Sequence, residues 1–350
     1  MKKNQNTIEK IFSMTTSNHP KIVLIGNYSD YNIGDLAILD IIFKEFAKHV
    51  ADAKITVVSR FQSITRQFNP TIETMKPLSL RFLKQIITCD VLLVGGGGFF
   101  GHEMGTFAQF VPIIAMFCKI LNKQIVFYNV GIYSHINPFT KFITNRALSV
   151  ADIIELRSDS DISVVEEKIL KRAALKPDPT FLLEPKPLRK VPKKLEKVLK
   201  QKIVAISLRK TDNSTDKKIC ESIKKLTDWL QSQNIHVVFV PFHPSDIEMA
   251  EKLFRNNKQK TIILNTFKLN PNEIKWFFGQ FDLVIGMRYH AIVFALSMKT
   301  PLIGLAYANK CKNLLKSKEI KVFEANNLEP DVFLDFAKNE IRRLVELQKH

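Results

Sequence analysis

Short, continuous apolar runs alternate along this chain with longer segments whose apolar positions recur at helical spacing. A run without polar alternation marks a strand buried on both faces, as in a parallel sheet covered by helices. The first run is Lys21 to Gly26 (KIVLIG), after an extension, residues 1–20, that reads as loose chain or a short helix. A polar loop from Asn27 to Asp35 leads into a predicted helix from Leu36 to His49. Strands are then predicted over Ile55 to Ser59, Asp90 to Val94, Gln124 to Val130 and Asp152 to Leu156. Helices are predicted from Thr106 to Leu121 and from Pro138 to Val150. The third strand ends in four glycines, Gly95 to Gly98.

A proline-spotted stretch from Lys176 to Pro192 interrupts the alternation, and the pattern then restarts. Strands are predicted over Lys202 to Leu208, His236 to Pro241, Thr261 to Leu264, Phe281 to Ile285 and Pro301 to Ala306. Between them fall helices from Lys217 to Gln233, Ser245 to Phe254, Pro271 to Phe281 and Ala291 to Met298, with Ser245 a candidate N-cap. A helix from Pro330 to Gln348 closes the chain. The expected organisation is α/β: an N-terminal Rossmann-like domain over 21–185, a linker over 186–201 and a second Rossmann-like domain over 202–350, facing across a cleft.

Composition narrows the partners. Lys and Arg total 52 against 34 Asp and Glu, a net charge of +18 that favours anionic ligands or surfaces. Lys186 to Lys202 holds eight of the basic residues and one Glu, yet no aromatics interleave with them as in a single-strand binder, so nucleic acid is not an expected partner. Cys89, Cys118, Cys220 and Cys311 are scattered without CxxC or metal-ligand spacing, as in a reduced, cytoplasmic protein, and no metal is expected. No apolar run approaches the ~18 residues of a membrane span, and the first 20 residues lack an apolar signal core. Peripheral contact with an anionic membrane at the inner face of the cell remains open.

In open parallel sheets, ligands sit at the carboxyl ends of the strands. The polar residues at those ends are Asn27, Asp35, Gly95 to Gly98 with Gly96 and Gly97 among them, Arg157, Arg209, His243, Arg288, His290 and Tyr307; Asn32, Tyr289 and Lys310 stand beside them as further candidates. Gly34-Asp35 suits a substrate loop at a helix N-terminus, or an N-cap in a tight turn. The glycines suit close ligand approach, a mobile gate or a tight turn. They lack the order of a dinucleotide fingerprint and a Walker lysine. Arg209 and Arg288 suit a ligand with two anionic ends, such as phosphoenolpyruvate, or ion pairs with Asp212, Asp246 or Asp282. His290 could act as an acid or base near neutral pH, or cap its helix. Lys310 is a further cleft cation or a solvated helix residue.

Several stretches together resemble the polysaccharide pyruvyl transferase family. They are Asn32-Ile-Gly-Asp35-Leu-Ala37, Asp90 to Gly98, Glu155-Leu-Arg157-Ser-Asp159 with Lys176-Pro-Asp178-Pro-Thr-Phe181, Ile206-Ser-Leu-Arg209, and Gly286-Met-Arg288-Tyr-His290 with Pro301 to Lys310. The resemblance implies a GT-B-like fold and transfer of pyruvate from phosphoenolpyruvate onto two sugar hydroxyls as a cyclic ketal, with no cofactor beyond the donor. The acceptor would be a glycan or lipid-linked oligosaccharide. The resemblance also implies that Arg209, Arg288 and His290 bind phosphoenolpyruvate and carry catalysis, with Tyr289 in contact. Ser158 stands where many members carry Asp. Asp35 and His243 are candidates for activating a hydroxyl. A nucleotide-sugar glycosyltransferase and a non-catalytic glycan-binding relative are the competing readings.

Overall fold

In a computed structural model, the chain is described for residues 7–14, 17, 19–49, 52–67, 69–101, 106–133, 138–158, 160–189, 191, 193–255 and 261–347. It divides into two compact units, Met1–Thr180 and Phe181–His350.

The N-terminal unit contains β1 (Lys21–Ile25), β2 (Lys54–Val58), β3 (Glu73–Met75), β4 (Val91–Phe100), β5 (Gln124–Ile132), β6 (Ile153–Arg157) and β7 (Ala174–Lys176). These seven form one parallel sheet in the order β3-β2-β1-β4-β5-β6-β7. The chain steps outward from β1 and then returns to set β4 on β1's other side, so the topological switch point lies between β1 and β4. Both faces of β4 are covered. Val91 and Leu93 join a core with helices Thr7–Met14 and Ile33–His49. Leu92 and Val94 join another core with helices Leu80–Thr88, Thr106–Ile120 and Pro138–Val150. Two-sided burial is why the strand reads as an unbroken apolar run.

The C-terminal unit contains β8 (Ile203–Ser207), β9 (His236–Phe239), β10 (Thr261–Ile263), β11 (Leu283–Gly286), β12 (Leu302–Ala306) and β13 (Val322–Glu324). Its six-stranded parallel sheet has the order β10-β9-β8-β11-β12-β13, which puts the switch point between β8 and β11.

Several local expectations need correction. The glycines do not follow the third strand; they continue it, and Gly95 to Gly98 pair with Tyr128 to Gly131 along β5. The helix expected from Leu36 begins at Ile33, because Asn32 Oδ1 accepts the Gly34 N–H at 3.1 Å and closes the first turn earlier. The helix expected from Ser245 begins at Pro244, with His243 as its N-cap. His243 Nδ1 accepts the Ser245 N–H at 3.2 Å, and Asp246 returns the bond by accepting from the His243 N–H at 3.0 Å. Proline suits the first helical position, where its missing N–H costs nothing. Residues 1–20 do contain a helix, Thr7–Met14, whose Ile8 and Ile11 are buried. The short strands β3, β7 and β13 and the helix Asn309–Lys316 were not anticipated.

Candidate active site

In the N-terminal unit, the residues after β1 and along β4 enclose Asp35. Its carboxylate lies in the first turn of helix Ile33–His49 and is 4% exposed. Asn27 Nδ2 donates to Asp35 Oδ2 at 3.0 Å. Two glycines make room for this arrangement. Gly97 has φ +97°, and a Cβ there would lie 2.7 Å from Asp35 Oδ1; Gly96 has φ +75°, and a Cβ there would collide with the Ile38 side chain. Both conformations disfavour any side chain. The fully buried Tyr28 donates its hydroxyl to the Gly95 carbonyl. Burial, and then the nearby Asp35 carboxylate, push the Tyr28 phenol well above its ordinary range. Gly96 and Gly97 are therefore filled by the chain's own side chains. Gly98 is exposed and reaches a pocket of about 320 Å³, lined also by Gly26, Asn27, Arg60, Phe61 and Phe99.

The ELR and PDPT motif residues have a structural use. Arg157, 1% exposed at the end of β6, pairs with the fully buried Asp178 at 3.0 Å, and its Nη2 bonds Tyr133 Oη. Asp178 Oδ1 also accepts from the Thr180 N–H at 2.9 Å. This ties the segment after β7 to the sheet. Asp159, a further residue of the motif, lies outside the described residues.

In the C-terminal unit the candidates leave four neighbouring strands in order: His243 after β9, Arg209 after β8, Arg288 to His290 after β11, and Tyr307 and Lys310 after β12. Arg209 and Arg288 flank the switch point. Of the ion pairs considered for Arg288, the one with Asp246 forms. Arg288 Nε donates to Asp246 Oδ2 at 2.9 Å and Nη2 to Oδ1 at 2.5 Å. Asp246 is fully buried and also accepts from the Phe242 and His243 N–H groups, each at 3.0 Å. Asp212 and Asp282 are engaged elsewhere. Asp212 caps helix Asn213–Ser232, and bonds from Ser214 and Thr215 hold its carboxyl well below the usual carboxylate range. Asp282 accepts from the Ile203 N–H at 2.7 Å.

Arg209 lies over the Tyr307 ring, 4.4 Å from its centroid, and Lys310 Nζ lies 5.4 Å from the same centroid. The aromatic face attracts both cations. His290 is buried in the first turn of helix Tyr289–Ser297, at 7% exposure, with its ring edge-on to Tyr289. It does not cap the helix; Arg288 occupies the N-cap position. Beside Tyr307, a cavity of about 250 Å³ is lined by Asp212, Thr215, Asn309, Lys312 and Glu324. Four helices begin along this edge, at Asn213, Pro244, Tyr289 and Asn309. Their N-terminal ends add partial positive charge to that of the arginines and Lys310, offset at two of the four starts by the Asp212 and Asp246 carboxylates.

The model of one family, polysaccharide pyruvyl transferase, matches residues 32–309. The chain belongs to that family. The match includes Asp35, the glycine run, Arg209, His243, Arg288 to His290 and Tyr307 of this pyruvyl transferase family member. Comparison with curated protein sequences gives no match. Solved structures share its fold. A Staphylococcus aureus MnaA–UDP co-structure has 16% identity and a TM-score of 0.62, covering 93% of this chain and 89% of its own. Neisseria meningitidis UDP-GlcNAc 2-epimerase bound to UDP-GlcNAc has 13% identity and a TM-score of 0.60, covering 92% and 91%. Acinetobacter baumannii MurG has 11% identity and a TM-score of 0.50, covering 93% and 92%. The family member therefore has an α/β fold of the GT-B type, two parallel sheets with interleaved helices.

Sequence reasoning undervalued Asp246, seen there only as a possible ion-pair partner. Its signal is its place three residues after His243, the N3 position of a capping box. It also missed Ser207, whose hydroxyl is buried at the end of β8 with no hydrogen-bond partner among the described residues.

Proposed function

We propose that this family member transfers pyruvate from phosphoenolpyruvate onto two hydroxyls of a sugar in a polysaccharide or lipid-linked glycan precursor, forming a cyclic ketal and releasing phosphate. The observation that carries this reading is the pair Arg209 and Arg288 on either side of one switch point, at an edge where four helices begin. Phosphoenolpyruvate has a carboxylate and a phosphate, and two separately anchored guanidinium groups suit those two ends. Asp246 positions Arg288 by taking two of its donors, and Nη1 is left for the ligand. Tyr307 positions Arg209 by its ring face.

The chemistry proceeds by an addition, in which the C2–C3 double bond is consumed, followed by a displacement. His290 delivers a proton to C3 of the enol while the first sugar hydroxyl forms a bond to C2. The second hydroxyl then attacks C2, the C2–O bond to phosphate breaks, and inorganic phosphate leaves. Each hydroxyl proton passes to a base, for which His243, on the same strand-end edge as His290, is the candidate; Asp35 is enclosed within the N-terminal unit. Arginine charge stabilises the departing phosphate. No cofactor beyond the donor takes part. The acceptor sugar is assigned to the pocket of the N-terminal unit, where Asn27 and the exposed Gly98 backbone offer hydrogen-bonding groups. The reaction is assigned to the cytoplasm.

Incubation with phosphoenolpyruvate and a panel of glycosides, followed by phosphate and product-mass measurement, tests this reading. Phosphate release with a ketal-sized mass gain on the sugar is expected. His290→Ala should keep phosphoenolpyruvate binding and lose release; unchanged turnover in that variant would remove His290 from the acid role. Tight binding of a uridine nucleotide with none of phosphoenolpyruvate would favour a glycosyltransferase instead. Glycan binding without turnover would favour a non-catalytic relative.

A further inference from the structure

Three helices lie side by side on one face of the N-terminal sheet: Leu80–Thr88, Thr106–Ile120 and Pro138–Val150. The rings of Phe82 and Phe107 join the first two edge to face, centroids 6.2 Å apart, and the second packs directly on the third. Their inward residues, among them Phe82, Ile86, Val111, Cys118 and Leu148, form one core. Their outward faces are apolar as well. The first helix exposes Leu80, Leu83 and Ile87. The second exposes Phe110, Ile113, Phe117 and Ile120, spaced by three and four residues so that they form one stripe. The third exposes Phe139 and Phe142. Each of these side chains is at least 46% exposed, and Leu80 is 87% exposed.

Single exposed apolar residues are ordinary, but a surface continued across three neighbouring helices is an interaction site. Its charged setting identifies the occupant. From Lys76 to Val150 the chain has seven Lys and Arg residues against two acids, Asp90 and Glu103; two of the seven are paired with acids just outside that span, Arg81 with Glu73 at 3.0 Å and Lys119 with Asp152 at 2.6 Å, so the excess rests on the others. Asp90 already accepts the Lys21 N–H at 2.8 Å. Lys84 and Lys141 are exposed on the two outer helices, next to Leu83 and Phe142. Arg146 lies over the Phe142 ring, 5.1 Å from its centroid.

We infer that this face docks on an anionic lipid surface. The Phe, Ile and Leu side chains enter the boundary between headgroups and acyl chains, and the Lys and Arg side chains meet the lipid phosphates. Lys and Arg suit this place because their apolar stems lie along the inserted surface while their charges stay at the headgroups. The face lies on the bilayer and does not cross it, since no described helix is long and apolar enough to span. A second copy of the chain fits poorly, because a two-fold contact would set the basic residues against themselves. The inference stands apart from the transferase reading, although a lipid-linked acceptor would be found at such a surface.

Co-sedimentation of the full chain with vesicles tests it, using equal parts phosphatidylglycerol and phosphatidylcholine against phosphatidylcholine alone. Binding to the anionic vesicles that weakens with added salt is expected. The double variant Ile113→Gln/Phe117→Gln should bind about tenfold more weakly or worse, the loss expected for withdrawing two apolar side chains. Lys84→Glu/Lys141→Glu, confined to exposed positions, should also lose binding with an unchanged melting curve. No binding to anionic vesicles, equal binding to both vesicle types, or undiminished binding by both double variants would overturn the inference. So would a dimer, by light scattering, that the Ile113→Gln/Phe117→Gln substitutions convert to monomer.

Discussion

The two switch points have the same topology and opposite contents. Between β1 and β4 the strand ends are filled from within. Gly96 and Gly97 admit Ile38 and Asp35, and Tyr28 reaches the Gly95 carbonyl. Between β8 and β11 the strand ends carry arginines, one held by a buried carboxylate and one by an aromatic face. A glycine run after a buried strand suggests a ligand loop, yet here most of it serves helix packing. An arginine in an ion pair suggests a merely structural residue, yet Asp246 leaves Arg288 at the strand end with a donor to spare. What fills the space decides the use, and residue type alone does not.

The comparison can be broken at several points. The largest effect is expected from Arg288→Ala, which strands the buried Asp246 carboxylate. Urea denaturation should show a loss of about 3–5 kcal/mol, the usual result of removing one partner of a buried pair. Arg209→Ala, which removes the contact with the Tyr307 ring face, should cost less than Arg288→Ala. Equal costs would mean that both arginines are held the same way. Next comes Gly97→Ala, which forces a side chain into a left-handed backbone against Asp35 and should cost about 1–3 kcal/mol. Gly98→Ala, at the exposed end of the run, should stay within about 0.5 kcal/mol. If the order of the two glycines reverses, the run serves the pocket more than the packing.

A smaller effect lies in the N-terminal core. Burial pushes the Cys118 thiol from 9.0 up to about 12. The folded chain therefore keeps a proton that the unfolded chain releases above pH 9.0. The stability is fully present below that pH and is lost as pH rises toward about 12. One pH unit above the unfolded value the loss is about 1 kcal/mol. Melting curves of Cys118→Ala should lack this part of the alkaline slope; an identical slope would show that Cys118 is not its source.

Much of the fold was legible in the sequence because strands buried on both faces read as unbroken apolar runs. KIVLIG, DVLLV and KIVAISL are such runs, and each contains or overlaps an observed strand. Three-residue edge strands barely register in a sequence pattern: β10 was anticipated, whereas β3, β7 and β13 were not. At the site, the strand-end positions of Arg209, His243, Arg288 and Tyr307 were legible because a parallel sheet puts every strand end on one edge. Of their partners, Asp246 was one of three carboxylates considered for the arginines, and the fold selects it for Arg288, 42 residues away. The contact of Gly97 with Asp35 and the buried pair of Arg157 with Asp178 were not legible, because only the fold brings those residues together. His243 was misjudged at its helix start because Ser is the commoner cap, whereas Pro244 at the first helical position moved the cap back by two residues.

In the proposed reaction the β8–β11 switch point receives phosphoenolpyruvate through Arg209 and Arg288. Calorimetric titration of the whole chain with phosphoenolpyruvate, beside Arg209→Ala and in competition with UDP, tests it most directly. Saturable binding by the unaltered chain is predicted, with a loss of about tenfold or more in Arg209→Ala and no displacement by UDP. Binding of UDP with none of phosphoenolpyruvate, or equal phosphoenolpyruvate affinity in Arg209→Ala, would contradict it.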